Sequence, residues 1–167
     1  MPMKKLYLLL VTCSLLFEVQ IIQAQASKGD IRVGGHLGFG TEIESLGIAA
    51  RGDYAVTNNI LIGPDFIYFF GNNNLNWFDL NFNGNYLFEI NNPDITPYAL
   101  AGLNLAIISY DSEYLGIGNS SATEIGLNLG GGADFVVSTF IVFGELRFVL
   151  SSADQLVIAG GVKFPLH

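Results

Sequence analysis

The stretch DLNFNGNYLFEI, Asp79 to Ile90, decides the fold. Its polar positions Asp79, Asn81, Asn83, Asn85 and Glu89 alternate with Leu80, Phe82, Gly84, Tyr86, Phe88 and Ile90. Side chains point to opposite faces at successive residues of a strand, so this is a strand with one wet and one greasy face. Two orientations satisfy that pattern. A soluble sheet turns the aromatics inward to a core, whereas a membrane barrel turns them to lipid and lines its interior with the asparagines.

Outward from this stretch, the same period recurs and no helix-period pattern interrupts it. Eight strands are expected: 31–40, 45–56, 60–70, 75–90, 95–109, 122–137, 140–150 and 155–166. Turn-forming residues separate them, as at Thr57-Asn58-Asn59, Asn91-Asn92-Pro93-Asp94 and Ser138-Thr139. The longest polar connection runs from Tyr110 to Ser121. The fifth strand alternates least clearly, with Asn104 the only marker of its wet side, and Pro97 lies near its start, where a ladder tolerates it.

The chain begins with Lys4 and Lys5, an apolar run from Leu6 to Phe17 and the small-x-small triplet Ala24-Gln25-Ala26. That order reads as a secretory signal peptide over residues 1–26, leaving residues 27–167 as one exported domain. The run is short for a membrane helix, which needs about 20 residues. Leu10-Val11-Thr12-Cys13 only faintly matches a lipoprotein box. Cys13 is the sole cysteine and would leave with the leader, so neither a disulfide nor a cysteine-based metal site is expected.

Half of the chain is apolar and 13% is charged, with a formal net charge of −8. The acidic balance argues against a nucleic-acid partner. A soluble surface carries about 25–35% charged residues. Lys28 and Lys163 are the only lysines after the leader. A chain this apolar, with no segment fit for a membrane helix, is a barrel or all core.

Four observations turn the aromatics outward. Charges fall on one face of nearly every strand, among asparagines and glycines and with both signs mixed, which suits a narrow interior where groups must pair. The strand count is even, and the strands reach the roughly 9–11 residues that a tilted membrane strand needs. Tight turns gather at the end that holds the N-terminus, and the longest connection lies at the other. Finally, Tyr54, Tyr86, Phe88, Phe135, Phe140 and Phe164 mark one aromatic girdle, and Phe39, Tyr68, Phe70 and Phe78 the other. A soluble sandwich or lipocalin-like barrel would alternate too; low charge and sparse lysine count against it. The expectation is an all-β, eight-stranded antiparallel up-and-down transmembrane β-barrel.

At LNFNGNYLFEINNPDITPYALAGLNLAI, residues 80–107, the chain resembles the eight-stranded outer-membrane β-barrel superfamily of Gram-negative bacteria, the group holding OmpX, the OmpA barrel domain, OmpW and the opacity proteins. The likeness is one of architecture, over the whole exported chain. It implies residence in the outer membrane, contact with outer-membrane lipid, delivery by the barrel-assembly machinery and a monomer. It carries no catalytic residue. Such barrels end on an aromatic residue, a place Phe164 would take, although Pro165-Leu166-His167 follow.

Parity places Arg32, His36, Arg51, Asp53, Asp65, Asn81, Asn83, Asn128, Glu145 and Arg147 inside. An eight-stranded barrel is just wide enough for side chains to fill it, so these residues are expected to form a plugging network. His36 points inward, away from any lipid substrate, and reads as a hydrogen-bonded lumen histidine. His36 and His167 fall in different parts of the barrel with the acids dispersed, so no metal is expected, nor any cofactor. The glycines at 34, 35, 38 and 40, and those at 130–132, precede no helix and suit tightly packed strands better than a phosphate loop. Asp111, Glu113 and Tyr114 in the longest loop could meet an external partner. The functional expectation is a non-enzymatic outer-membrane protein with a polar-filled lumen, serving envelope structure or surface interaction. The alternative is a narrow OmpW-like channel for small or hydrophobic solutes.

Overall fold

The computed structural model describes residues 26–71, 75–110, 120–152 and 154–166. They form eight antiparallel strands: β1 (Ile31–Gly40), β2 (Ser45–Ala55), β3 (Ile60–Phe69), β4 (Leu75–Leu87), β5 (Ile95–Tyr110), β6 (Ser120–Val137), β7 (Phe140–Leu150) and β8 (Gln155–Leu166). Each pairs with its neighbours in sequence, and β1 pairs with β8 to close the barrel. Strand count and order follow the alternation. β1, β7 and β8 keep their expected bounds, and each other strand differs at one end by one to three residues, most at β4, which leaves the ladder at Leu87 rather than Ile90. The expected leader, apart from Ala26, lies outside the described residues, as do Asp111, Glu113, Tyr114 and His167.

Closure is staggered. Following partners sideways from Ile31 through Tyr54, Ile62, Gly84, Ala101, Leu129, Phe148 and Leu156 returns to β1 at position 41, ten residues further on. Thr41 N duly donates to Leu156 O at 3.0 Å. With about 3.3 Å per residue along a strand and about 4.8 Å between strands, this stagger tilts the strands by about 40°. The register passes through Gly130, Gly131 and Gly132 without a bulge. Glycine is needed at Gly130, where a Cβ would stand 2.2 Å from Leu146 O on β7.

Parity sorts the side chains as the sequence implies. Leu37, Ile48, Phe66, Phe82, Leu103, Leu127, Leu146 and Ile158 are exposed on the outer wall, while Arg51, Asp65, Asn81, Glu145 and Arg147 are buried within. β5 takes a definite facing: Thr96, Tyr98, Leu100, Asn104, Ala106 and Ile108 turn inward. Hairpin turns 56–59, 88–94 and 138–139 and the N-terminal strap share one end, here the turn end; residues 41–44, 151, 152 and 154 lie at the other, the loop end. Aromatic pairs mark both rims, with Tyr86–Phe88 at 5.2 Å and Phe140–Phe164 at 6.2 Å at the turn end, and Tyr68–Phe70 at 5.6 Å at the loop end.

Two substitutions test this architecture. Leu103, mid-strand and 57% exposed, sits between Phe82 and Leu127 on the outer wall. Leu103→Arg should cost about 2–4 kcal/mol of folding stability in bilayers if that wall meets lipid, and under about 0.5 kcal/mol if it meets water; urea titration in vesicles distinguishes the two. Ser138 opens the two-residue β6–β7 turn at φ 59°, where glycine is favoured. Ser138→Gly should therefore raise stability by about 0.5–1 kcal/mol, read as a higher denaturant midpoint.

Candidate functional site

The barrel interior concentrates the polar chemistry of the chain. Near the turn end, Arg32 Nη1 donates to Asp134 Oδ2 at 3.2 Å, and Lys163 Nζ donates to Asp134 Oδ1 at 2.8 Å. Lys163 also lies 3.7 Å from Asp53 Oδ2, and Asp53 Oδ1 lies 3.8 Å from Arg51 Nε. Arg51 Nη1 donates to Glu145 Oε2 at 3.0 Å, an oxygen that also accepts from Tyr98 OH at 2.8 Å. Glu145 Oε1 is 3.8 Å from Arg147 Nε, and Arg147 Nη1 donates to Asp65 Oδ2 at 2.8 Å. The series ends where His36 Nε2 meets Asp65 Oδ1 at 2.9 Å. A carboxylate can only accept, so Nε2 carries the hydrogen.

The result is an alternating chain of nine ionisable side chains, each at most 5% exposed. Four are bases and four are acids, with His36 at the end. Burying a charge alone costs several kcal/mol, and a sign-alternating chain is the arrangement that offsets it. Phe143 supports the bases. Its ring centre lies 4.9 Å from the Arg51 guanidinium carbon and 4.6 Å from Lys163 Nζ, and its edge meets His36 with centroids 5.6 Å apart. Ring faces attract cations, and more so where water is excluded.

Beside the charges lies a layer of amides. Asn81 Oδ1 accepts from Asn104 Nδ2 at 2.9 Å and from Asn128 Nδ2 at 2.8 Å, and Asn128 Nδ2 reaches Asn83 Oδ1 at 2.8 Å. Asn81 Nδ2 donates to the carbonyl of Asp65, joining the amides to the ion chain. Gly102 makes room, since a Cβ there would stand 2.3 Å from Asn83 Oδ1.

Apolar side chains close off the polar middle. Toward the loop end, Ile43, Ile67, Phe69, Trp77, Ile108, Val149 and Val157 cluster inside the barrel. Trp77 Nε1 donates to Asp79 Oδ1 at 2.7 Å beneath them. Toward the turn end, Ala26, Ala55, Leu61, Leu87, Tyr98 and Leu100 pack together. Ala26 is the last residue of the expected leader, and the strap that follows it is stitched to the wall by Gly29 N donating to Ala55 O at 2.8 Å.

All ten residues expected inside lie inside, and nine of them meet directly or through one partner; Asp134, Lys163, Tyr98 and Asn104 complete the group. Asp134, Lys163 and Asn104 carry the right parity in the sequence. What the sequence conceals is which strand each faces across the lumen. Phe143 and Tyr98 are harder still, because inward aromatics break the rule that polarity marks the inside; only parity counted from Glu145 and Asn104 reveals them. Among the described residues, no group of three or more His, Cys, Asp or Glu side chains is placed to hold a metal.

No protein-family profile matches the chain, and neither does any curated protein sequence. Solved structures do. The N-terminal β-barrel domain of Pseudomonas aeruginosa OprF aligns with a TM-score of 0.71 at 12% identity, over 84% of this chain and 100% of that one. Neisserial surface protein A aligns with a TM-score of 0.60 at 18% identity, over 81% and 95% of the two chains. Ail, the attachment invasion locus protein of Yersinia pestis, aligns with a TM-score of 0.59 at 14% identity, over 82% and 97%. At such identities the likeness is one of fold. Alternation, closure, an apolar outer wall and these alignments converge: the chain has the fold of the small eight-stranded outer-membrane β-barrels.

Proposed function

We propose that this chain is an exported, non-enzymatic protein of the bacterial outer membrane whose plugged barrel serves envelope structure or contacts at the cell surface. Residues 1–26 are its signal peptide, the barrel-assembly machinery inserts it, and it acts as a monomer in contact with outer-membrane lipid. The turn end faces the periplasm, and Asp111, Glu113 and Tyr114 belong to the loop offered to the exterior. The observation that carries this reading is the filled lumen, an ion chain from Arg32 to His36 with apolar clusters on either side. An interior braced in this way has no need to open, which leaves the wall and the loops to act.

A second reading, a narrow channel for small or hydrophobic solutes, draws on buried polar atoms without a protein partner. Both side-chain atoms of Asn85, His36 Nδ1 and Arg147 Nη2 are of this kind. Buried polar atoms are ordinarily satisfied, by water where protein is lacking, and a file of water is the start of a pathway.

Single-channel recording in a planar bilayer separates the readings, with folding verified by the gel shift between unheated and boiled samples. A verified barrel without conductance steps is the expected result; reproducible discrete steps would favour the channel. Arg147→Ala tests the plug itself. It strips Asp65 of its 2.8 Å partner and leaves a buried carboxylate poorly compensated, so stability should fall by about 3–5 kcal/mol. A variant that unfolds at the parental urea concentration would show that the interior network does not brace the barrel.

A further inference from the structure

Where β4 and β5 separate, the wall of the barrel opens. Their ladder ends with Leu87 opposite Tyr98, and one further bond, Phe88 N to Pro97 O at 2.9 Å, holds them together beyond it. The start of β5 then stays with β6, Ile95 opposite Phe135, while residues 88–90 continue outside the ladder. Between them lies a cavity of about 330 Å³, lined about equally by apolar residues, among them Phe88, Ile90 and Ile95, and by polar ones, among them Asn59, Glu89 and Asn92. Phe88 and Ile90 are 46% and 47% exposed, and Phe88 contacts Tyr86 of the turn-end girdle. Aromatic girdles lie at the boundary of lipid and water, so the slot opens there.

The polar side is organised. Asn59 Nδ2 donates to Glu89 Oε1 at 3.2 Å, which steadies the carboxylate and leaves it lone pairs for further donors. On the same turn, Asn58 Oδ1 accepts from the backbone N of Lys28 at 3.0 Å, which ties the strap that carries Lys28 to the turn beside the slot. Lys28 is exposed, whereas Arg32, Arg51, Arg147 and Lys163 are all buried in the lumen. A hydrogen-bonded carboxylate therefore lies in the lining beside apolar side chains, with a cation on the strap tied to the same turn. Their complement is a zwitterion with a hydrocarbon tail. Its ammonium meets Glu89, its phosphate meets Lys28, and its chain lies along Phe88 and Ile90. An anionic headgroup would face Glu89, with Asp30 and Asp94 also exposed or partly exposed at this end.

We propose that this slot binds one aminophospholipid, a lipid whose headgroup carries a phosphate and a primary ammonium. The inference rests on the outer-membrane reading, which sets the turn end in the periplasmic leaflet. The test offers the protein, folded in detergent micelles and verified by gel shift, equimolar phosphatidylethanolamine, phosphatidylcholine and phosphatidylglycerol. Retained lipid is then read by native mass spectrometry. Phosphatidylcholine has the same net charge as phosphatidylethanolamine but no ammonium N–H, so it separates hydrogen bonding from charge alone.

The expected result is one phosphatidylethanolamine per barrel, retained about tenfold over the other two lipids, the scale of one charge-assisted hydrogen bond. Glu89→Gln should abolish the preference, and Phe88→Ala should lower retention of all three lipids. Both residues lie outside the ladder, so both variants are expected to fold. Equal retention of the three lipids, preference for phosphatidylglycerol, or an unchanged preference in Glu89→Gln would overturn the proposal. A chain that gives no gel shift would instead overturn the barrel reading, and the slot with it.

Discussion

A closed barrel of this size gives every inward polar group the same problem. Its partner must come from among the other side chains of the lumen, because the wall shuts it off from the surroundings. The ion chain meets that condition by crossing the lumen, with Arg32 on β1 bonded to Asp134 on β6, Arg51 on β2 to Glu145 on β7, and Arg147 on β7 to Asp65 on β3. These are cross-braces between strands that share no ladder. Buried pairs of this kind add little net stability, since desolvation takes back much of the attraction. Their effect is on register. Sliding any of these strands by one residue would turn an arginine or a carboxylate toward the lipid wall, at a cost that no alternative pairing inside could offset.

The lumen is layered along its length. Leucines, alanines and Tyr98 fill the turn end, charges and then amides occupy the middle, and a second apolar cluster that holds Phe69 and Trp77 fills the loop end. The polar middle alone would attract water from both mouths. With Leu61, Leu87 and Leu100 on one side and Phe69, Trp77 and Ile108 on the other, the charges lie in a low-dielectric interval where each contact is electrostatically stronger and each missing contact more costly.

Alternation makes much of this legible in the sequence alone. Eight strands, their order and their two faces follow from positions such as Asn81, Phe82 and Asn83, because period 2 is imposed by backbone geometry and leaves a mark on polarity. Boundaries blurred where the mark faded. Phe88, Glu89 and Ile90 keep the alternation of β4 after its ladder has ended at Leu87, so the sequence reads three residues too far and misses the slot that this divergence opens. Pairings across the lumen were out of reach for a different reason. Asp65 could have met Arg51 on the neighbouring strand, where they are ladder partners, but its 2.8 Å contact is with Arg147, 82 residues away. Stagger and closure decide that choice, and no local pattern encodes either. The apolar plugs were hidden by the rule that served elsewhere, because Ile67, Phe69 and Phe143 are greasy residues on the wet face.

Trp77 gives this arrangement a spectroscopic signature. It is the only tryptophan of the chain, and it faces the interior, 6% exposed, with its indole nitrogen bonded to Asp79. In many membrane proteins tryptophan fluorescence reports arrival in the bilayer, because the ring itself touches lipid. Here the indole enters its dry surroundings only when opposite walls of the barrel meet around it. Its emission is thus an optical clock for closure, largely blind to the adsorption that precedes it, and quenchers dissolved in the acyl chains would be held from it by the thickness of the barrel wall.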